Sequence, residues 1–296
     1  MIKFNKNVVI AALARDCEDS LINNIPLIDH LRSKFSWSQV VVVENDSKDN
    51  TKEILFNWEK KSEGVKIISQ DFGIKTIPDQ TVAMASPTTS FYRIEKMSFY
   101  RNMYLDYIDT LGHDIDYLIV IDIDVKTFSV DALVNSIDQA NNNWGGIFSN
   151  GVTISSYLGF KSKIYYDVFA VYEYPQKDFF SYTDESLERT FRTINKNTKK
   201  YKYHTVISAF GGIGIYKYSA IQSLRYKAIK NMFNDNEGIC EHIPFNMGII
   251  DAGYKNYISR DFFLEYGTHK FGLILKLFLH PKFFNFIYSL RGKKNR

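Results

Sequence analysis

A chain of 296 residues, 45% of them hydrophobic, is long enough for one large domain or two small ones and can bury a sizeable core, which excludes disorder as its overall state. Its 37 Lys and Arg stand against 33 Asp and Glu, so global charge makes no case for nucleic-acid binding. His269 to Arg296 holds seven basic and no acidic residues, which leaves residues 1–268 with 30 basic against 33 acidic, a slightly acidic body carrying a basic tail.

In chain order, Val8 to Leu13 is a continuous apolar run suited to a strand buried on both faces. Ser20 to Phe35 then places Leu21, Ile25, Ile28 and Leu31 at helical spacing. Val40 to Val43 predicts a second strand, followed by the turn Asn45-Asp46-Ser47 and a helix to about Lys61, and Val65 to Ile68 predicts a third. Gln70 to Thr89 is polar and punctuated by Gly73, Pro78 and Pro87, the pattern of a long functional loop. Phe91 to Leu111 reads as a helix and Tyr117 to Ile121 as a fourth buried strand. Strands alternating with helices at these spacings predict a parallel α/β sheet with right-handed crossovers.

The second half is less regular. Gly145 to Asn150 and Tyr165 to Tyr172 are expected as strands, and Pro175 to His204 as a charged insertion without apolar period. The glycines of Phe210-Gly211-Gly212-Ile213-Gly214 suggest backbone close to a ligand or in a tight bend. Ile239 to Tyr254 has a helical pattern with Ile243, Met247, Ile250 and Tyr254 on one face. Two cysteines, Cys17 and Cys240, supply neither a disulfide framework nor a CxxC pair, which points to a reducing compartment. The N-terminal stretch does not resemble a secretory signal, and Phe271 to Leu279 is interrupted by Lys276 and closed by Pro281, so no spanning segment is expected.

The best local signal is Asp122-Ile123-Asp124, at the end of the fourth strand. Two carboxylates at the carboxyl edge of a parallel sheet lie where ligands bind in open α/β folds, and hard oxygens there suit Mg2+ or Mn2+ bridging a diphosphate. The alternative is a helix N-cap and a solvated acid, with a helix following at Ser129. Glu44 and Asp46 close the second strand, and Ala11 to Arg15 close the first with small residues, Ala12 among them, that allow a planar base to approach. No G-x-G-x-x-G or G-x-x-x-x-G-K-[ST] occurs, so phosphate must be met by a metal and by cations. Arg93, Lys96 and Arg101 are candidates, or else form a solvated helix face.

With these residues in view, the chain resembles a glycosyltransferase of the GT-A fold. The resemblance runs over about residues 7–260: the Ala-rich first strand, the Glu44-Asn45-Asp46-Ser47-Lys48-Asp49-Asn50-Thr51 turn, Tyr100-Arg101-Asn102 and Asp122-Ile123-Asp124. Phe210-Gly211-Gly212-Ile213-Gly214 and Cys240-Glu241-His242 resemble the capsule-associated mannosyltransferase-like branch. It implies a mostly parallel, Rossmann-like sheet flanked by helices, with a nucleotide-binding half of about 1–125, an acceptor half of about 126–268 and a basic amphipathic tail over 269–296. A nucleotide-sugar donor would lie across the first four strands, with Ala12, Arg15 and Glu44 at the crevice and Asp46 near ribose or base. Asp124 and Asp122 would take Mn2+ or Mg2+, a late His, His269, completing the shell. Arg101 and Arg93 would assist the diphosphate, and the Gly211-Gly212 backbone would face sugar or acceptor. Glu241 would serve the acceptor, although a carboxylate opening a helix also favours the dipole.

The expected activity is hexosyl transfer to a glycan or lipid-linked saccharide in surface polysaccharide synthesis. A nucleotidyltransferase is the alternative enzyme, without its usual Gly-rich basic loop after strand one, and a non-catalytic sugar- or nucleotide-binding module is the other. The basic, aromatic tail suits an anionic membrane surface, which places the protein in the cytoplasm at the inner face of the membrane. A homodimer is a further expectation; nucleic acid is not a partner.

Overall fold

The structure, a computed structural model, describes residues 4–78, 87–157, 160–173 and 184–267. The elements of the first half are β1 (Phe4–Ala14), α1 (Glu18–Arg32), β2 (Phe35–Glu44), α2 (Thr51–Lys61), β3 (Val65–Ser69), α3 (Phe91–Asp109), β4 (Tyr117–Asp122), β5 (Thr127–Phe128) and α4 (Val130–Asp138). The second half adds β6 (Trp144–Tyr157), β7 (Phe160–Tyr165), α5 (Asp184–Lys200), β8 (Tyr203–Val206), β9 (Ile213–Lys217), the β10 (Ile229–Asn231) and β11 (Asn234–Ile239) hairpin, α6 (His242–Asp251) and β12 (Lys255–Gly267).

The main sheet runs β3-β2-β1-β4-β9-β6-β12-β5, with β7 on β6 and β8 on β12. β3, β2, β1 and β4 are mutually parallel, β9 is antiparallel to both β4 and β6, and β6 and β12 are parallel. The unbroken apolar runs reflect this burial on both faces. In β1, Val9 and Ala11 enter the core beneath α3 while Val8, Ile10 and Ala12 enter the one beneath α1, and all are buried. Leu21, Ile28 and Leu31 of α1, Leu55 and Trp58 of α2, and Leu133 and Ile137 of α4 cover one face of the sheet. Tyr100, Tyr104 and Ile108 of α3, Phe191 and Ile194 of α5, and Phe245 and Ile249 of α6 cover the other, giving three layers.

Several expectations are corrected. The segment read as an aperiodic insertion contains α5, in which Leu187, Phe191, Ile194 and Thr198 recur at helical spacing, a period lost when the helix is read together with the irregular charged stretch before it. Tyr165 closes β7, and Val168–Ala170 is a single 3-10 turn rather than strand. The buried face of α6 is Ile243, Asn246 and Ile249 with His242 and Phe245, while Met247 is 39% exposed. Among the described residues, no helix is long and apolar enough to cross a membrane. The basic tail and His269 lie outside the described residues.

Candidate active site

The carboxyl ends of the parallel strands meet at one level. Leu13 pairs with Asp122 and Val43, and Ala14 pairs with Glu44, which pairs with Ser69. The turns leaving β1 and β2 are knitted together: the Lys48 amide donates to Asp16 Oδ1 at 2.7 Å and the Asp16 amide to Ser47 Oγ at 3.2 Å. Glu44 is buried and accepts from the Ser47 amide at 2.9 Å and from the Ser69 hydroxyl, so it ties β2 to β3. Asp46 has left-handed backbone (φ 53°) and accepts from the Gly73 amide at 2.6 Å. Burial alone would raise its acid, but the Asn45 and Gly73 hydrogen bonds and Arg15 hold it below the ordinary carboxylate value. Arg15 spans to the Ile74 carbonyl and Thr76 hydroxyl at 3.2 and 2.9 Å, tying the start of the long loop to the end of β1. The Ala12 side chain points into the layer beneath α1.

The Asp-x-Asp loop is clipped to α1. The buried Asn24 donates to the carbonyls of Ile123 and Val125 at 2.8 and 2.6 Å, and Ser20 Oγ donates to the Asp124 carbonyl at 3.3 Å. The cap of α4 is Ser129, whose hydroxyl accepts from the Ala132 amide, so neither acid is spent on capping that helix. Behind the loop, the Asp122 amide donates to the Gly212 carbonyl at 2.8 Å and Ser149 Oγ to the Gly211 carbonyl at 2.6 Å. Both glycines are buried in left-handed backbone, and a Cβ on Gly211 would stand 2.3 Å from the Ser149 carbonyl oxygen, so this segment packs where side chains do not fit.

Asp122 and Asp124 share a tyrosine pair. Tyr166 donates to Asp122 Oδ2 at 3.3 Å and Tyr266 to Asp124 Oδ2 at 2.9 Å, and the two rings stack with centroids 3.8 Å apart and planes 10° apart. Burial, then the Asp124 charge, push the Asp122 acid up to about 7, with Glu241 adding to the rise and Arg101 and Tyr166 opposing it. Like charges held together in this way are what a divalent cation neutralises, and an exposed hard oxygen on Asp124 beside Asp122 is the donor chemistry Mg2+ and Mn2+ take. Among the described residues no group of three or more His, Cys, Asp or Glu is placed to hold a metal on its own. The two carboxylates therefore fit a cation that shares its shell with phosphate and water.

Arg101, expected on the diphosphate, is buried: its Nε donates to Glu241 Oε1 at 3.0 Å and an Nη lies 3.9 Å from Asp122 Oδ1. The rings of Phe210 and Tyr226 flank the guanidinium at 5.4 and 5.6 Å. Residues 101 and 241, 140 positions apart, thus form one buried ion pair beneath the Asp-x-Asp loop. Glu241 occupies the N-cap position of α6 yet makes no capping hydrogen bond, its carboxylate turning to Arg101 instead. His242 is buried and stacks on Phe210 at 4.0 Å, and burial followed by Arg101 lowers it well below the ordinary imidazole value, so it is neutral core. Arg93, in the first turn of α3, donates to the Thr88 carbonyl at 3.1 Å. Asn24, Tyr166, Asp167 and Tyr266 were not anticipated; a lone Asn on a helix face or a Tyr-Asp pair in an irregular segment gives no periodic signal.

The sequence matches the family described as cryptococcal mannosyltransferase 1 over residues 7–243. No curated protein matches it. Among solved structures, the fold resembles a mannosyltransferase from Pyrobaculum calidifontis in complex with GDP-Man and Mn2+, at 13% identity and a TM-score of 0.50 over 91% of this chain and 59% of that one. Glucosyl-3-phosphoglycerate synthase from Mycobacterium tuberculosis, in complex with UDP, aligns at 11% identity and a TM-score of 0.43 over 92% of this chain and 79% of that one. The present chain spans 59% of the length of the Pyrobaculum protein. With the family match extending from β1 to the start of α6, on a three-layer sheet whose strand ends carry the Asp-x-Asp pair, the chain belongs to the cryptococcal mannosyltransferase 1 family, glycosyltransferases of the GT-A fold.

Proposed function

We propose that this protein transfers a hexosyl group from a nucleoside-diphosphate sugar to a saccharide or lipid-linked acceptor in surface polysaccharide synthesis. The observation that carries the reading is the alignment of Asp122 with the ends of β1, β2 and β3, with Glu241 joined to it from below through Arg101. Family membership and the likeness to a mannosyltransferase solved with GDP-Man and Mn2+ support it. In this reading the nucleoside lies over β1 to β3 with Asp46 at the ribose or base and Arg15 beside it, tied to Ile74 and Thr76. Asp124 and Asp122 would hold Mn2+ or Mg2+, which as a Lewis acid neutralises the charge developing on the departing diphosphate. Arg93, near the loop end, and Lys96, whose ammonium lies over the Tyr92 ring at 5.4 Å, are the candidates left to approach phosphate, because Arg101 is engaged by two carboxylates. Glu241 Oε1 is held by Arg101 and Oε2 accepts from the Cys240 thiol, a weak donor, at 3.9 Å, so Oε2 is the oxygen that would turn to the acceptor hydroxyl as base or as orienting partner.

A screen of GDP-mannose, UDP-glucose and related nucleotide sugars, read by thermal stabilisation and by metal-dependent donor hydrolysis, tests the assignment. One nucleotide sugar should raise the melting temperature in Mn2+ and be hydrolysed slowly without acceptor. Release of pyrophosphate from a nucleoside triphosphate plus sugar phosphate would instead mark a nucleotidyltransferase, and binding with no turnover on any acceptor would mark a binding module.

The basic, aromatic tail would seat the enzyme on anionic lipid at the inner membrane face, apolar side chains entering the acyl boundary and Lys and Arg meeting head groups. Full-length protein should sediment with anionic but not neutral liposomes in a salt-sensitive manner, and a chain ending near Thr268 should not. Equal behaviour of the two chains would remove the membrane assignment.

A further inference from the structure

Three non-glycine residues among those described adopt left-handed backbone: Asp16 (φ 46°), Asp46 (φ 53°) and Asp167 (φ 62°). Such a residue is strained relative to glycine and persists where its surroundings or its own side chain hold it. For two of the three the side chain is the reason, since Asp16 accepts from the Lys48 amide and Asp46 from the Gly73 amide, each closing a loop. Asp167 differs. Its carbonyl accepts from the Ala170 amide at 3.2 Å, but its carboxyl group has no hydrogen-bond partner among the described residues and stays half-buried.

The conformation is imposed from both sides. Before it, Tyr166 donates its amide to the Gly151 carbonyl at 2.8 Å and its hydroxyl to Asp122, and its ring is stacked on Tyr266. After it, the turn Val168–Ala170 is fixed by Ser208 Oγ on the Ala170 carbonyl at 2.7 Å, and Ser208 is in turn held by Asn246 of α6 at 2.9 Å. A strained acid is thus clamped between the segment that touches Asp122 and the helix that Glu241 opens. Burial and then the charges of Asp122 and Glu241 raise its acid well above the ordinary value, opposed by Arg101 and Arg93, which agrees with that location.

We infer that Asp167 hydrogen-bonds a hydroxyl of the donor sugar and so helps set which sugar is transferred. The inference rests on the glycosyltransferase reading of the same site. A carboxyl group brings no cation to a diphosphate, and in that reading the nucleoside lies at β1 to β3 and the acceptor at Glu241, so the group that reaches the segment beside Asp122 is the donor sugar, a neutral polyol whose hydroxyls carboxyl oxygens receive well. A buried polar partner of this kind rejects analogues lacking the hydroxyl far more strongly than an apolar wall does.

The test compares wild type with Asp167→Gly by calorimetry in Mn2+, using GDP and GDP-mannose, or the nucleoside diphosphate and nucleotide sugar that the screen selects. Glycine removes the carboxyl group and relieves the backbone, so the variant should melt no lower than wild type. Affinity for the nucleoside diphosphate should stay within about twofold, while affinity for the nucleotide sugar should fall about tenfold, as expected for loss of one hydrogen bond. Asp167→Asn, which tolerates the same backbone, should fall less. Unchanged affinity for the nucleotide sugar, an equal loss for the nucleoside diphosphate, or a lower melting temperature would each overturn the inference and leave the glycosyltransferase reading standing. Wild-type protein that binds neither compound would overturn that reading and the inference with it.

Discussion

Asp124→Ala should abolish sugar transfer while leaving the fold in place. The side chain is exposed and, among the described residues, its hydrogen bond is to Tyr266 at 2.9 Å. The loop that carries it is held by main-chain contacts from Asn24 and Ser20, which the substitution does not touch. Truncating an exposed group outside a packed core changes stability by about 0.5 kcal/mol or less, so the melting temperature should barely move. Activity is a different matter, because no Gly-rich loop is present to receive the phosphates and the pair of acids is what remains to bring a cation to them. Removing Asp124 also takes away a charge that raises the Asp122 acid, so that acid should fall somewhat while burial, the larger cause, keeps it raised. Donor turnover in Mn2+, thermal melting and a chelator control on wild type decide the matter. Full wild-type activity in excess chelator, or near-normal turnover by the variant, would sink the metal assignment.

The parallel half of the sheet was legible because burial on both faces leaves a plain trace. Val8 to Leu13, Val40 to Val43 and Tyr117 to Ile121 are runs that only a strand between helix layers accommodates, and the structure extends them by a few residues at their ends. Where burial is partial, the trace fades. In α5, half of the buried positions are threonine, and Thr198 makes a hydrogen bond to the Ile194 carbonyl that a hydropathy pattern does not register. The short β10 and β11 hairpin, with Asn at both of its inner ends, gives no alternation to read.

The site divides along the same line. Acids at strand ends are local features, so Asp46, Asp122 and Asp124 could be picked out from their neighbours in sequence. What joins them is not local. The Arg101 to Glu241 pair spans 140 positions, and Tyr166, just past β7, meets Tyr266 of β12. Arg101 illustrates the limit: on a helix after a long loop, an arginine aimed at phosphate and one buried between two carboxylates have the same sequence signature. Only the packing of Phe210 and Tyr226 around the guanidinium distinguishes them.

Glu241→Gln should reduce transfer by ~10²- to 10⁴-fold if the carboxylate takes the acceptor proton, the range removal of a general base commands. Gln keeps the shape, and its Oε1 can still accept from Arg101 Nε, so the variant separates basicity from packing. The substitution has a second cost. Arg101 is buried and would keep a single carboxylate neighbour, Asp122 at 3.9 Å, in place of two. Deleting one partner of a buried pair outright costs about 3 to 5 kcal/mol, and a neutral hydrogen-bonding replacement should cost less, so a lower melting temperature is expected without loss of the fold. The two effects are told apart by donor affinity. Binding of the nucleotide sugar, which involves the strand ends, should stay within a few fold in the folded variant, while turnover at saturating donor and acceptor collapses. If turnover and melting temperature fell together and donor binding with them, Glu241 would be the counter-ion that positions Arg101 and Asp122. If turnover were unchanged in a destabilised variant, the proton of the acceptor hydroxyl would have to leave by another group, and Asp167, the other acid between Asp122 and α6, would be the next to replace.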